Sequence, residues 1–306
     1  MLPAPLVAML EAAFPDQPLR GLAPTVGGFS NLSMLARLGG TACVLKAAEL
    51  PAKRADLRRE ARMLAALHGR RVCAPTLLAH LEGAAWTLLV TRRRPGTPGL
   101  QLYAGPPDAL LAPLTALGRT LARLHALDAA PPPDAADAGL LLARRAAALA
   151  AQLAALPLPG ELREPFAAAL AHPAWRPAAP RLVHGDAGLH NLLWGSRGLT
   201  LLDWELGGWG DPRLDLAWVA WTLRFRALPA PCWEALLAGY GRERAQALGL
   251  DSAALQALAL GQVAGLLARA AGRPAWDEWV RRARWTVDGR WWTVDGGRWD
   301  DTPVRY

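Results

Sequence analysis

Between residues 182 and 205 the chain reads LVHGDAGLHNLLWGSRGLTLLDWE, and Asp186, Asn191 and Asp203 are the side chains in it whose type and spacing permit chemistry. Leu192 to Trp194 and Leu199 to Leu202 are short apolar runs. The turn formers Gly195, Ser196, Arg197 and Gly198 lie between them, so the segment predicts two antiparallel strands. With the hairpin symmetric about Arg197, Asn191 and Asp203 face each other at its open end. Directly opposed residues point to one side, with Cβ atoms about 5 Å apart. An amide oxygen and a carboxylate at that separation suit Mg²⁺, a hard cation that takes oxygen ligands and leaves the rest of its shell to phosphate oxygens. Asp186 stands five residues before Asn191, in the loop leading in.

The Asp-x4-Asn spacing is similar to the catalytic loop of protein kinases, where Asp accepts the hydroxyl proton and Asn holds metal. The wider pattern is His184-Gly185-Asp186, Asn191, Asp203-Trp204-Glu205, then GDPRLDLAW from Gly210. It resembles the aminoglycoside phosphotransferase and choline kinase-like superfamily over about thirty residues. The resemblance implies an α+β, two-lobed protein-kinase-like fold, with a small antiparallel-sheet N-lobe and a larger, mainly helical C-lobe. It implies transfer from ATP, with Mg²⁺, to a hydroxyl of a small-molecule acceptor. Asp186 is then the catalytic base, and Asn191 and Asp203 are the metal ligands. The sequence departs from the family at Ala187-Gly188, where relatives often carry Leu, His or Pro, and this bears on acceptor contacts. The Asp-Trp-Glu form of the metal motif looks more like the choline, thiamine and acyl-CoA-linked branches than like drug-resistance kinases. D-F-G and A-P-E are absent, so no protein-kinase activation segment is visible. A protein kinase and a kinase-fold binding module without turnover are the rival readings.

Two bodies must position these residues: a nucleotide-binding lobe over 1–92 and a catalytic, acceptor-binding lobe over 93–306. In the first, Leu6 to Phe14 predicts a short helix. Gly39-Gly40 predicts a two-residue hairpin turn that sets Lys46 opposite Ser33, just beyond the loop Gly27 to Asn31. A lysine beside a flexible loop suits α- and β-phosphates. The loop is not G-x-G-x-x-G and by itself reads as a plain connection; the resemblance makes Gly28, Ser30 and Asn31 the nucleotide contacts. From Ala55 a helix is expected, with Leu57, Ala61, Leu64 and Leu67 as its buried stripe. Glu60 falls on that stripe and requires a cationic partner, because an unpaired buried charge is costly. Lys46 is the natural choice; a surface pair with a neighbouring arginine is the alternative. Thr87 to Thr91 reads as a strand and Arg92 to Gly96 as the hinge, against which the resemblance places the adenine.

The second lobe reads as helices over Leu110 to Leu127, Ala138 to Leu156 and Glu161 to Ala171. His125 is read as a hydrogen-bonded core histidine. Asp211 is read as an N-cap with Pro212 after it, and Asp215, by resemblance, as a brace for the catalytic loop. Trp218, Trp221 and Phe225 form an aromatic stripe, either core packing or one wall of an acceptor pocket. With Trp204, Trp209 and the carboxylates Glu205, Asp211 and Asp215, that wall would favour a cationic or amino alcohol acceptor. RWTVDG at 284 nearly repeats as WWTVDG at 291 and predicts a Trp-rich hairpin.

A chain of 306 residues with 52% hydrophobic content supports two lobes with real cores. The formal charge of +8 is carried by arginines scattered among Ala, Leu and Pro, and Lys46 and Lys53 are the sole lysines. That is not a designed nucleic-acid face. The basic excess lies before residue 200, where it suits a polyphosphate. Cys43, Cys73 and Cys232 form no metal-type spacing and point to a reduced, cytoplasmic protein. The N-terminus lacks a basic signal-peptide region, and no transmembrane helix is expected.

Overall fold

Alternation of buried and exposed side chains builds the sheet that carries Lys46. The computed structural model describes residues 2–25, 32–127, 138–175, 179–249 and 251–288. The chain forms two compact units, Met1–Pro98 with Asn191–Gly208, and Gly99–His190 with Trp209–Tyr306. In the first, α1 (Ala4–Ala13) is followed by β1 (Leu19–Pro24), β2 (Leu32–Leu38), β3 (Thr41–Ala48), α2 (Pro51–Leu67), β4 (Leu77–Glu82), β5 (Thr87–Arg92) and β6 (Thr97–Pro98). Strands β1 to β5 make an antiparallel sheet in the order β1-β2-β3-β5-β4. Leu38 pairs with Thr41 across Gly39-Gly40, and Gly39 has φ +55°, the left-handed conformation that glycine adopts without strain. Ser33 therefore pairs with Lys46, as the turn implied.

Met34, Ala36, Leu38, Cys43, Leu45 and Ala47 project to one face of the sheet, where Leu6 and Leu10 of α1 cover them. Lys46 alternates to the opposite side from Leu45 and Ala47. Helix α2 starts with Pro51 in its first turn and buries Leu57, Glu60, Ala61, Leu64 and Leu67, the stripe read from the sequence, together with Met63.

The second unit contains α3 (Gly99–Tyr103), α4 (Leu111–His125), α5 (Ala138–Ala154), α6 (Gly160–Ala171) and β7 (Arg181–Val183). The chain then returns to the first unit as the hairpin β8 (Leu192–Gly195) and β9 (Gly198–Leu201), which joins β6 in a three-stranded sheet. The short strand β10 (Gly208–Gly210) pairs with β7, and α7 (Pro212–Phe225), α8 (Ala230–Tyr240), α9 (Arg242–Ala247), α10 (Ser252–Ala270) and α11 (Trp276–Val287) complete the second unit.

One expectation is corrected here. The first arm of the supposed tryptophan hairpin, Arg284 to Val287, is the last turn of α11. The cause is helical spacing: Val280, Ala283 and Thr286 are buried on one face, and Trp285 packs against the core of this unit. The second arm lies outside the described residues. Helix α10 is long and apolar enough to cross a membrane by length and composition alone, although Gln256, Gln262 and Arg269 interrupt its apolar run. In the fold 72% of that window is buried, with Leu258, Val263 and Leu267 fully enclosed, so it is the central core helix.

Helices α4 and α8 meet at two glycines. A Cβ on Gly118 would lie 2.1 Å from the Leu236 carbonyl oxygen, and one on Gly239 would lie 2.0 Å from that of Thr115. Both neighbours are backbone, which cannot swing aside. Gly118→Ala therefore forces the helices apart and is expected to cost about 3 kcal/mol, the upper range for overpacking. Urea unfolding checks this: the midpoint falls and the slope is unchanged.

Candidate active site

The hairpin that carries Asn191 and Asp203 has a different register from the one expected. The pairs are Leu192 with Leu201, Leu193 with Thr200, Trp194 with Leu199 and Gly195 with Gly198. The turn is the two residues Ser196-Arg197, centred between them rather than on Arg197. Two-residue turns match the twist of paired strands, and Gly198, at φ +91°, starts the returning strand. Asn191 is therefore tied to Leu202, whose N–H donates to the Asn191 carbonyl at 2.7 Å. Asp203 falls one residue beyond. A one-residue slip within a ladder would send its side chain to the other face. Asp203 has left the ladder: its backbone is left-handed, φ 61° and ψ 70°. Such strain in a non-glycine residue needs surrounding structure to hold it.

What Asp203 meets is Lys46. The Lys46 ammonium lies 2.9 Å from Asp203 Oδ1 and 2.8 Å from Glu60 Oε2, all within the first unit. Glu60 is 2% exposed and also accepts the backbone N–H of Trp204. The surface-pair alternative for Glu60 is thus excluded. Burial works against the charge on Lys46, but the two carboxylates outweigh it and hold the ammonium above its ordinary range. Burial, reinforced by the nearby Asp203 charge, pushes the Glu60 carboxyl up against the pull of that ammonium. Beside them, Glu205 is raised by burial and by Asp203; its Oε1 lies 3.6 Å from the Lys53 ammonium, while its Oε2 is buried without a hydrogen-bond partner. Arg59 and Glu205 are linked through the Glu205 carbonyl at 2.8 Å.

In the second unit, Asp215 of α7 is wholly buried and accepts the backbone N–H groups of His184, at 2.8 Å, and Gly185, at 2.7 Å. Gly185 has φ +82°, which permits the turn. Burial disfavours ionised Asp215, but the His125 hydrogen bond and the neighbouring imidazoles prevail and hold the carboxyl below its usual range. His125 is the satisfied core histidine expected, bonded to Asp215 at 3.1 Å and to the Tyr240 hydroxyl at 2.9 Å. This frame carries Asp186. Its Oδ1 accepts the Trp218 indole N–H at 2.7 Å and lies 3.1 Å from His190 Nε2.

Sequence reasoning missed the last two contacts and the direct Lys46–Asp203 bond. Trp218 sits three residues after Asp215, so one face of α7 presents both; that spacing was the available signal. Asp211 is the N-cap foreseen, accepting from Arg213 N at 2.8 Å. Gly28, Ser30 and Asn31 lie outside the described residues.

Of the two readings of the aromatic stripe, core packing is the one that Trp218 and Trp221 follow. Trp204, Trp221 and Trp218 are 0%, 2% and 5% exposed. Trp204 donates its indole N–H to the Leu201 carbonyl, and Trp218, Trp221 and Phe225 stack in sequence within the core. Asp211 is spent on Arg213 and Asp215 on the loop backbone. These residues close onto one another because burying large rings and pairing buried carboxylates releases more free energy than leaving them to solvent.

Comparison with known proteins gives the same outline. A family model described as Phosphotransferase enzyme family matches residues 21–255. No curated protein matches the chain. Among solved structures, aminoglycoside phosphotransferase APH(4)-Ia, as a thermostable mutant in a ternary complex with ADP and hygromycin B, is similar at 18% identity. The match covers 92% of this chain and 97% of that one, with a TM-score of 0.63. Macrolide 2'-phosphotransferase MphH from Brachybacterium faecium is similar at 24% identity, covering 90% and 97%, with a TM-score of 0.61. An aminoglycoside-3'-phosphotransferase of type VIII matches at 22% identity over 83% and 96%, with a TM-score of 0.56. At these identities the structures establish a shared fold: a kinase-like α+β architecture.

Proposed function

The chain belongs to the phosphotransferase enzyme family, and from that membership we propose that it moves the γ-phosphoryl group of ATP to a hydroxyl of a small molecule. The observation that carries this reading is the Lys46 ammonium bonded to both Glu60 and Asp203. Phosphoryl transfer needs positioned charge more than covalent chemistry. Lys46, kept protonated by its carboxylates, meets the α- and β-phosphates. Glu60, buried on α2, holds Lys46 in place. The loop residues Gly28, Ser30 and Asn31 complete the nucleotide contacts.

Asn191 and Asp203 are the residues to hold Mg²⁺. Their donor set fits: an amide and a carboxylate, both oxygen donors, joined at the hairpin end by the Leu202–Asn191 bond. The orphaned Glu205 Oε2, close enough to Asp203 to feel its charge, is a further hard acceptor in the same region. Bound there, Mg²⁺ would supply charge neutralisation for the transferred phosphoryl group. Asp186 orients the acceptor hydroxyl and takes its proton, while Asp215 keeps the loop backbone around it fixed.

The acceptor belongs among amino alcohols and choline-like, thiamine-like or aminoglycoside-like compounds. ADP release in a coupled assay, over those acceptors plus hygromycin B and a macrolide, tests the reading with and without Mg²⁺. Turnover that needs both Mg²⁺ and an acceptor is expected. No turnover with any acceptor would instead favour a kinase-fold binding module, and Mg²⁺-independent turnover would overturn the metal assignment. Asn191→Ala is expected to raise the Mg²⁺ needed for half-maximal turnover about tenfold, or roughly 1.4 kcal/mol for one lost oxygen ligand. An unchanged Mg²⁺ requirement would remove Asn191 from the ligand set.

A further inference from the structure

We propose that Trp218 and His190 are positioning residues for Asp186, two N–H donors converging on one carboxylate oxygen, and that Gly188 is the vacancy which lets His190 reach it. The proposal rests on the reading of Asp186 as the base.

The geometry is specific. Trp218 Nε1 lies 2.7 Å from Asp186 Oδ1 and His190 Nε2 lies 3.1 Å from the same atom. A carboxylate only accepts, so the imidazole nitrogen facing it carries the hydrogen. The two donors differ in character. Trp218 is 5% exposed, and its ring stacks on Trp221 at 4.7 Å and 9°. Trp221 in turn stacks on Phe225 and donates to Thr286 Oγ1 at 2.9 Å. The indole N–H is therefore fixed by a packed column of rings. His190 is partly exposed, on the turn that carries Asp186 itself.

Gly188 explains how the ring fits. A Cβ there would stand 2.8 Å from His190 Cε1 and 3.0 Å from His190 Nδ1. Any side chain at 188 would displace the imidazole. The departure from the family pattern at Ala187-Gly188 thus has a local physical consequence: it makes space for a second donor. Helix α7 also acts twice on one loop. Asp215 holds the backbone at His184 and Gly185, and Trp218, three residues on, holds the side chain of Asp186. A carboxylate on a turn would otherwise spread over several rotamers, and loss of orientation is expensive in a reaction governed by positioning.

The test compares Trp218→Phe, His190→Ala, His190→Gln, Gly188→Ala, the double variant Gly188→Ala/His190→Ala, and Asp186→Asn. The readouts are kcat and KM for ATP, with Mg-ATP and water as acceptor and with any acceptor the coupled assay returns. Trp218→Phe keeps the stack and removes only the donor. It is expected to lower kcat about tenfold to a hundredfold while KM for ATP stays put. Gly188→Ala should reproduce His190→Ala, the double variant should be no worse than either, and His190→Gln should recover most of the rate. Should Trp218→Phe not fold, the Gly188 and His190 series decides alone. Wild-type kcat in Trp218→Phe and His190→Ala, or additive losses in the double variant, with Asp186→Asn still impaired, overturns the clamp and leaves the base in place. Wild-type kcat in Asp186→Asn overturns the reading of the base itself.

Discussion

Asp186→Asn is expected to lower kcat by about 10² to 10⁴, the usual loss when a positioned general base is removed. The substitution is nearly isosteric, and the amide oxygen can still accept from Trp218 and His190, so the loop should keep its shape. The lost property is the capacity to take a proton. KM for ATP should therefore stay within about twofold, because the ion group at Lys46, Glu60 and Asp203 is built in the other unit. Steady-state kinetics with the acceptor identified by ADP release decide the matter. Equal falls in kcat and in nucleotide affinity would mean that Asp186 supports the fold rather than the chemistry.

Lys46→Ala should both weaken use of ATP and unsettle the first unit. Glu60 is 2% exposed, and without the ammonium it keeps the Trp204 N–H as its remaining hydrogen bond in the group described. Removing one partner of a buried ion pair costs about 3 to 5 kcal/mol. The loss has a defined pH dependence. The Glu60 carboxyl is already raised above its ordinary value by burial and Asp203, and loss of the cation raises it further. An acid whose folded pKa exceeds its unfolded one contributes fully below the unfolded value, about 4.3 for Glu, and loses stability as pH rises towards the folded value. The gap between wild type and variant should thus be small near pH 4 and wide at pH 7. Adding Glu60→Gln should narrow the gap at pH 7 without restoring ATP affinity. Urea midpoints at the two pH values, beside nucleotide titrations, check both halves. A gap that does not change with pH would show that Glu60 is not the group left uncompensated.

The parts of this arrangement that were legible in the sequence are those set by short-range rules. A Gly-Gly turn fixes strand register, so Ser33 opposite Lys46 followed directly. A helical stripe that includes one carboxylate demands a cation, so the Lys46–Glu60 pair followed too. The β8–β9 register did not follow, because four adjacent turn formers admit a two- or a three-residue loop, and strand twist selected the former. The direction of the Asp203 side chain was beyond reach, since a left-handed aspartate cannot be told from an extended one by residue type. Tryptophan was the least legible. Periodicity placed Trp218 and Trp221 on one face, but whether that face meets solvent depends on α11, distant in sequence, which supplies Thr286 and Trp285 to the same cluster. An indole can also be a core residue and a polar contact at once, its ring stacked and its N–H on Asp186.

The first unit is interrupted: its last eighteen residues, Asn191–Gly208, come after residues 99–190 of the second. A ribosome that releases the chain from its N-terminus therefore delivers the five-stranded sheet and α2 well before the segment that finishes them. At 5–20 residues per second the delay is on the order of ten seconds. During it, Met63 of α2 lacks Gly207, the residue whose missing side chain leaves room for its thioether; Glu60 lacks Trp204; and Lys46 lacks Asp203. The nascent first unit is thus an unfinished body with a partly apolar helix face uncovered, and Lys46 gains its second counter-ion only when translation has passed residue 203.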